Sequence, residues 1–328
     1  MTEHAFAPYV RTLGRGKRAR RDLTRHEAAE AMGLILDGQA TDAQMGAFLM
    51  LLRVKEETPE ELAGFLDACR PRCAEQLADL PPVDVDWPSY AGKKKHHPWY
   101  LAAARLLAGH GVRILMHGGP AHTPNRRYSD DMLAELGVAL PGSVAEAGDQ
   151  LREDGFTFLD LKHFCAPLAP LLMMRFELGL RSPINTLARS LNPAGAPLSM
   201  QSVFHPAYLA LHLGASQLCG DRDLLLFKGE GGEPEIRPDA RTALTGLRHG
   251  DPAEAVLDAA LPRQTPPGEV SPLHVRAVWR GEAQDDYGVA AIRGTVATVL
   301  WGLEKVESLE QGLKAAEALW EARDRAAL

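Results

Sequence analysis

The chain has 328 residues, 45% of them apolar and 24% charged, with a formal net charge of -7. That balance belongs to a folded globular protein and excludes a mostly disordered chain. No apolar run approaches the ~20 residues of a membrane span, and the basic opening MTEHAFAPYVRTLGRGKRAR has no apolar stretch behind it, so no signal peptide is expected.

Four cysteines are too few for a disulfide framework, which makes the reducing cytoplasm the expected compartment. At roughly 150 residues per domain the length suggests two domains, or one large α/β unit.

The charge is segregated. Residues 11–25 carry Arg11, Arg15, Lys17, Arg18, Arg20, Arg21 and Arg25 against Asp22 alone, a local charge of +6. The remaining 29 basic and 42 acidic residues give -13. A basic surface on an acidic protein is therefore expected, either as a solvated arm or as a phosphate contact.

Helices come next. Thr24 and Glu27 form a capping-box signal ahead of Ala28, Met32, Ile35 and Leu36 at helical spacing, and Gly38 marks the end. Thr41 caps DAQMGAFLMLLRVKEE. Thr58, Pro59 and Glu61 open TPEELAGFLDACR. Cys69 and Cys73, four apart, read as buried thiols.

The character changes at Pro81-Pro82. VDVD alternates like a strand, HPWYLAAARLLAGHG is helical, and GVRILMHGG is a strand running into a loop. This predicts a β-α-β unit over about 83–117. Helices near 129–137 and 143–154, a strand at 156–160, a helix at 205–218, a strand at 222–229 and two closing helices follow. The alternation predicts an α/β domain with a largely parallel central sheet.

Ligand sites in such sheets lie at the carboxyl ends of strands. The run Lys93-Lys94-Lys95-His96-His97 follows the first strand, and Asn125-Arg126-Arg127 follows the second. Both read as anion contacts. Tyr90 and Trp99 flank the lysines, either as stacking platforms or as core. His96-His97 lacks a companion ligand for a metal, and His205-Pro206 reads as structural.

The segments LTRHEAAEAMGLILDGQATDAQMGAFLMLLRVKEETPEELAGF, MHGG (116–119), RFELGLRSPINTLARSLNPAG (175–195) and AAIRGTVATVLWGL together resemble anthranilate phosphoribosyltransferases, in order and over nearly the whole chain. The resemblance implies the nucleoside phosphorylase/phosphoribosyltransferase class III fold. That is a small helical domain (1–78, completed by about 167–195) plus a large α/β domain (79–328) with a largely parallel central sheet. It also implies a homodimer through the α domain.

The family's glycine-rich pyrophosphate loop is replaced here by WPSYAGKKKHHPW, keeping only Gly92. The acidic pair that holds Mg²⁺ in the enzymes is reduced to Glu233 beside Pro234, leaving one metal candidate. His117, Gly118 and Gly119 stand on a substrate loop, and Arg175 on the arginine associated with the anthranilate carboxylate. With Gly92 and Asn125 they form the expected residual cleft.

GRGKRARRDL, PSYAGKK and LFKGEGGEPE also resemble a subfamily of paralogues that bind nucleic acid. The leading expectation is therefore a nucleic-acid-binding protein, DNA or RNA. It would contact phosphates electrostatically, with weak sequence selectivity, through Arg15, Lys17, Arg18, Arg20, Arg21, Lys93, Lys94, Lys95, Arg126 and Arg127. No cofactor and no membrane are expected. The alternative is a phosphoribosyltransferase or related glycosyltransferase with an unidentified acceptor other than anthranilate, using Mg²⁺ only if activity is retained. In that reading Lys93, His117, Asn125 and Glu233 hold the donor.

Overall fold

The computed structural model describes residues 2–16 and 18–328. Four helices come first: α1 (Ala7–Gly14), α2 (Arg25–Leu36), α3 (Asp42–Lys55) and α4 (Pro59–Gln76). Thr24, Thr41 and Thr58 each accept the backbone N–H three residues on, and Glu27, Gln44 and Glu61 return the bond, so three capping boxes are complete. Each such cap stabilises its helix by about 1 kcal/mol. Glu61 does more. Fully buried, it also accepts Leu23 N at 2.9 Å and pairs with Lys55 at 2.8 Å, tying three segments together.

The α/β part begins with β1 (Val85–Ser89), α5 (Trp99–Ala108), β2 (Ile114–Gly118), α6 (Ser129–Glu135), α7 (Val144–Glu153) and β3 (Phe156–Asp160). Three short helices follow: α8 (Leu168–Met173), α9 (Arg175–Leu178) and α10 (Ile184–Arg189). Then come β4 (Leu198–Val203), α11 (Leu209–Cys219), β5 (Asp223–Lys228), β6 (Thr242–Arg248), β7 (Asp251–Leu257), α12 (Pro272–Arg280), α13 (Asp286–Gly302) and α14 (Leu309–Glu321).

The seven strands lie in the order β3-β2-β1-β4-β5-β6-β7. The first five pair in parallel, and β6–β7 is an antiparallel hairpin on the β5 edge. The fold is thus a small helical layer plus a large α/β domain whose mixed sheet is mostly parallel. The strand order reverses direction between β1 and β4. The crevice beyond the carboxyl ends of those two strands is where open α/β sheets place ligands.

Two cores flank the sheet. One gathers Trp87, Trp99, Met116, Phe156, Phe227, Trp279 and the buried faces of α5 and α13. The other joins Phe48, Phe65 and Leu66 of the helical layer to Leu168, Leu172, Ile184 and Leu187 from the segment after β3.

β1 runs three residues past the predicted alternation and includes Pro88. Its pairing with β4 ends at Asp86, so Pro88 has a strand neighbour on one side only, where a missing N–H is tolerated. Five elements had no sequence expectation: α1, α12, β4 and the two strands of the β6–β7 hairpin. No helix of the described residues is long and apolar enough to cross a membrane.

Candidate functional site

At the end of β1 the chain turns through Tyr90, Ala91 and Gly92. Gly92 has φ +70°, and a Cβ there would lie 3.0 Å from Arg127 O, so the position requires glycine. The N–H groups of Ala91 and Gly92 point the same way and form a nest for an anion. Glu233 fills it. Its Oε1 accepts Ala91 N at 2.7 Å and Gly92 N at 2.5 Å, and its Oε2 accepts Ser89 Oγ at 2.7 Å. Sequence reading missed this contact, because its partners lie about 140 residues apart along the chain.

Lys93 follows immediately and is fully buried. Its Nζ donates to Glu230 and, at 2.7 Å, to Glu235. Burial alone would lower the lysine pKa, but the charges of Glu235 and Glu230 outweigh it and hold the group above its ordinary value. Glu235 is pushed up to about 7 by its own burial, against the pull of Lys93. It also accepts Tyr100 N at 2.9 Å. Lys93 therefore pins the 229–235 loop over β1 and is no surface contact.

On the open side of the cleft four guanidiniums gather. Arg175 and Arg181 both donate to Thr123 Oγ1, the second at 2.8 Å. Arg189 donates to Asn185 O at 2.6 Å. Arg126 donates to the carbonyls of Ala91, Gly92 and Gly231. Among the described residues none of the four makes an ion pair.

Burial, then the charges of Arg189, Arg126 and Arg175, lowers the Arg181 pKa to about 10. Arg189 is lowered mainly by burial. An adjoining cavity of 160 Å³ is lined by Arg53, Glu57, Arg181, Asn185, Arg189 and Tyr208. Burial raises the Glu57 pKa although its carboxylate accepts Thr186 Oγ1 at 2.8 Å. Positive charge in this cavity is thus in excess, which suits an anionic ligand.

Several expected residues stand elsewhere. His117 is buried beneath the cleft, bridging Asp86 through Nε2 at 2.9 Å and Tyr90 OH through Nδ1 at 2.8 Å. Gly118 and Gly119 are close-packing positions, where a Cβ would lie 2.8 Å from Phe158 and 3.0 Å from Leu172, closer than van der Waals contact allows. Asn125 is exposed with φ +58°. Tyr90 and Trp99 are core, so neither is a stacking platform.

The basic set is not one surface. Lys93 is core. Arg127 pairs with Asp131 at 2.7 Å and Glu135 at 2.6 Å. Arg21 is spent on Glu27, and Arg126 turns from the surface into the cleft, onto the carbonyls of Ala91, Gly92 and Gly231. Arg15, Arg18, Arg20, Lys94 and Lys95 are exposed, and Lys17 lies outside the described residues.

The carboxylates do not fit a Mg²⁺ centre. Glu233 is consumed by the nest, and Glu230 and Glu235 by Lys93. His97, His274 and Asp285 bring ligand atoms within 4.8 Å of one another. However, Nδ1 of His97 accepts Ser271 N at 3.0 Å, which places the ring proton on its other nitrogen and leaves no lone pair for a metal. His96 stacks on Tyr287. All four thiols are free, with Cys69, Cys73 and Cys165 buried.

The helical bundle domain of a glycosyl transferase family matches residues 8–73, and the a/b domain of that family matches 100–322. The chain belongs to this glycosyl transferase family. Within the family it is similar to the anthranilate phosphoribosyltransferase of Myxococcus xanthus, 31% identical over 91% of this chain and 90% of that protein. The one from Geobacillus kaustophilus is 28% identical over 90% and 89%.

Solved transferases share the fold. The anthranilate phosphoribosyltransferase of Thermus thermophilus superposes with TM-score 0.78, 24% identical over 97% of this chain and 94% of that one. The Saccharomyces cerevisiae enzyme in complex with PRPP and Mg gives 0.76 at 18% identity, over 99% and 95%.

These relatives overturn the leading expectation of the sequence. They are named as transferases, and nothing among them points to nucleic-acid binding. The structure supplies the physical reason the basic residues misled. Lys93, Arg21 and Arg127 have carboxylate partners inside the protein, so their charge is already neutralised.

Proposed function

We propose that this glycosyl transferase family member moves a ribosyl-type group from a phosphorylated donor to an acceptor other than anthranilate. The observation that carries the reading is the cluster of Arg126, Arg175, Arg181 and Arg189 at the carboxyl ends of the parallel strands, none of them in an ion pair among the described residues. Guanidiniums already in place stabilise the negative charge that gathers on a departing phosphate. Glu57, in the same cavity and held above the ordinary carboxylate range, can take a proton from an incoming acceptor.

Anthranilate, the acceptor named for the relatives, is set aside because this chain departs from the family pattern at the nest, which Glu233 occupies, and at the acid pair, which is broken; a donor's phosphate reaches the nest only by displacing Glu233. No metal step is invoked.

The test is release of diphosphate or phosphate from phosphoribosyl pyrophosphate. The acceptors would be a panel of aromatic and heterocyclic amines and acids, anthranilate among them, each assayed with and without MgCl₂. Turnover with at least one acceptor other than anthranilate supports the reading. Robust metal-dependent turnover with anthranilate, or none with any acceptor, contradicts it.

We further propose a homodimer formed through the helical layer. Met173, Phe176 and Leu180 leave large apolar side chains exposed beside α3, where Leu178 approaches Gly46.

A further inference from the structure

We propose that Glu233 is the resident occupant of a phosphate-binding nest, and that a ligand's phosphate group enters only by displacing it. The residue thereby sets which anions the cleft admits.

The carboxylate is fully buried yet makes no ion pair among the described residues. Its partners are neutral donors only: two backbone N–H groups and one hydroxyl. That donor set is the one a phosphate uses. More donors stand behind it. Ser129 Oγ lies 2.6 Å from Ser89 Oγ, and Tyr100 OH is hydrogen-bonded to Ser129.

Arg126 adds polarisation. It holds the carbonyl of Ala91, which shares a peptide unit with the Gly92 N–H aimed at Glu233.

The segment carrying Glu233 is built to present it. Gly231 and Gly232 take φ +67° and +92°, and a Cβ on Gly229 would lie 1.9 Å from Glu233 O. Lys93 anchors both sides of that segment through Glu230 and Glu235. The carboxylate can therefore leave the nest by a local movement between two fixed points. Its role here is that of a stand-in for a ligand's phosphate group, and its engagement with neutral donors is what a metal ligand would have to give up.

The inference rests on the transferase reading only in calling the displacing ligand a phosphorylated donor. Its test involves no transfer. Inorganic phosphate and inorganic diphosphate are titrated calorimetrically into wild type and Glu233→Ala. The variant is expected to bind diphosphate about tenfold tighter or better, and adding Ser89→Ala is expected to reverse part of that gain. A folded Glu233→Ala protein that binds no tighter than wild type overturns the proposal.

If Glu233→Ala does not fold, Glu233→Gln carries the test through its melting temperature. A larger rise with diphosphate than wild type shows supports the nest, and a rise no larger than that of wild type overturns it. A gain in diphosphate binding without turnover would leave the nest standing while the transferase reading fails.

Discussion

Among the described residues Arg189 has a backbone carbonyl, Asn185 O, as its one hydrogen-bond partner, and it carries its charge into the cavity. A charge-assisted contact from such a group to a phosphate contributes about 1.5–3 kcal/mol. Arg189→Met should therefore weaken a phosphorylated ligand by about tenfold to a hundredfold, measured as a dissociation constant. The same positive charge acts on His212, whose pKa is lowered to about 3 by burial first and Arg189 second.

His212 is a base with a depressed folded pKa. Below about pH 6.5 the unfolded ring takes a proton that the native ring refuses. Stability should fall as pH drops, by about 2 kcal/mol at pH 5 from this residue alone. His212→Gln should flatten the decline in melting temperature between pH 7 and 5. An unchanged slope would show that the ring is not held neutral.

At the scale of elements, α2 and α4 cross at Gly64. A Cβ there would lie 2.2 Å from Arg25 O and 2.7 Å from the Ala28 Cβ, so the two helices must part to admit it. Gly64→Ala should gain helix propensity yet cost about 2 kcal/mol through overpacking. Denaturant unfolding at a fixed m-value reads the difference, and a neutral result would mean the crossing can relax.

The helices around this crossing were legible from the sequence because capping is local: Thr24, Thr41 and Thr58 announce their helices within three residues. The strand Phe156–Asp160 was legible as a short apolar run. β4 reads LSMQSV and β7 reads DPAEAVL, with too much polarity or proline to stand out. What makes β4 a strand is its place between β1 and β5.

The site was less legible than the fold. Lys93 and Lys94 are neighbours with opposite surroundings, one buried against Glu230 and Glu235 and the other exposed. Nothing within ten residues of Lys93 announces partners more than 130 residues away.

At the scale of the whole molecule, the helical layer packs against the short helices that follow β3, and the cleft lies between it and the sheet. If a second copy covers Phe176 and Leu180, replacing both with Asp should leave a folded monomer by light scattering. A wild type that is already monomeric at micromolar concentration would contradict the dimer.

On the proposed function the arginine cluster holds a phosphorylated ligand. This is tested most directly by calorimetric titration of phosphoribosyl pyrophosphate into wild type and into Arg181→Met/Arg189→Met. Saturable binding to wild type and a loss of about tenfold or more in the double variant are expected. Wild type that shows no saturable heat, or a folded double variant that binds equally well, would contradict it.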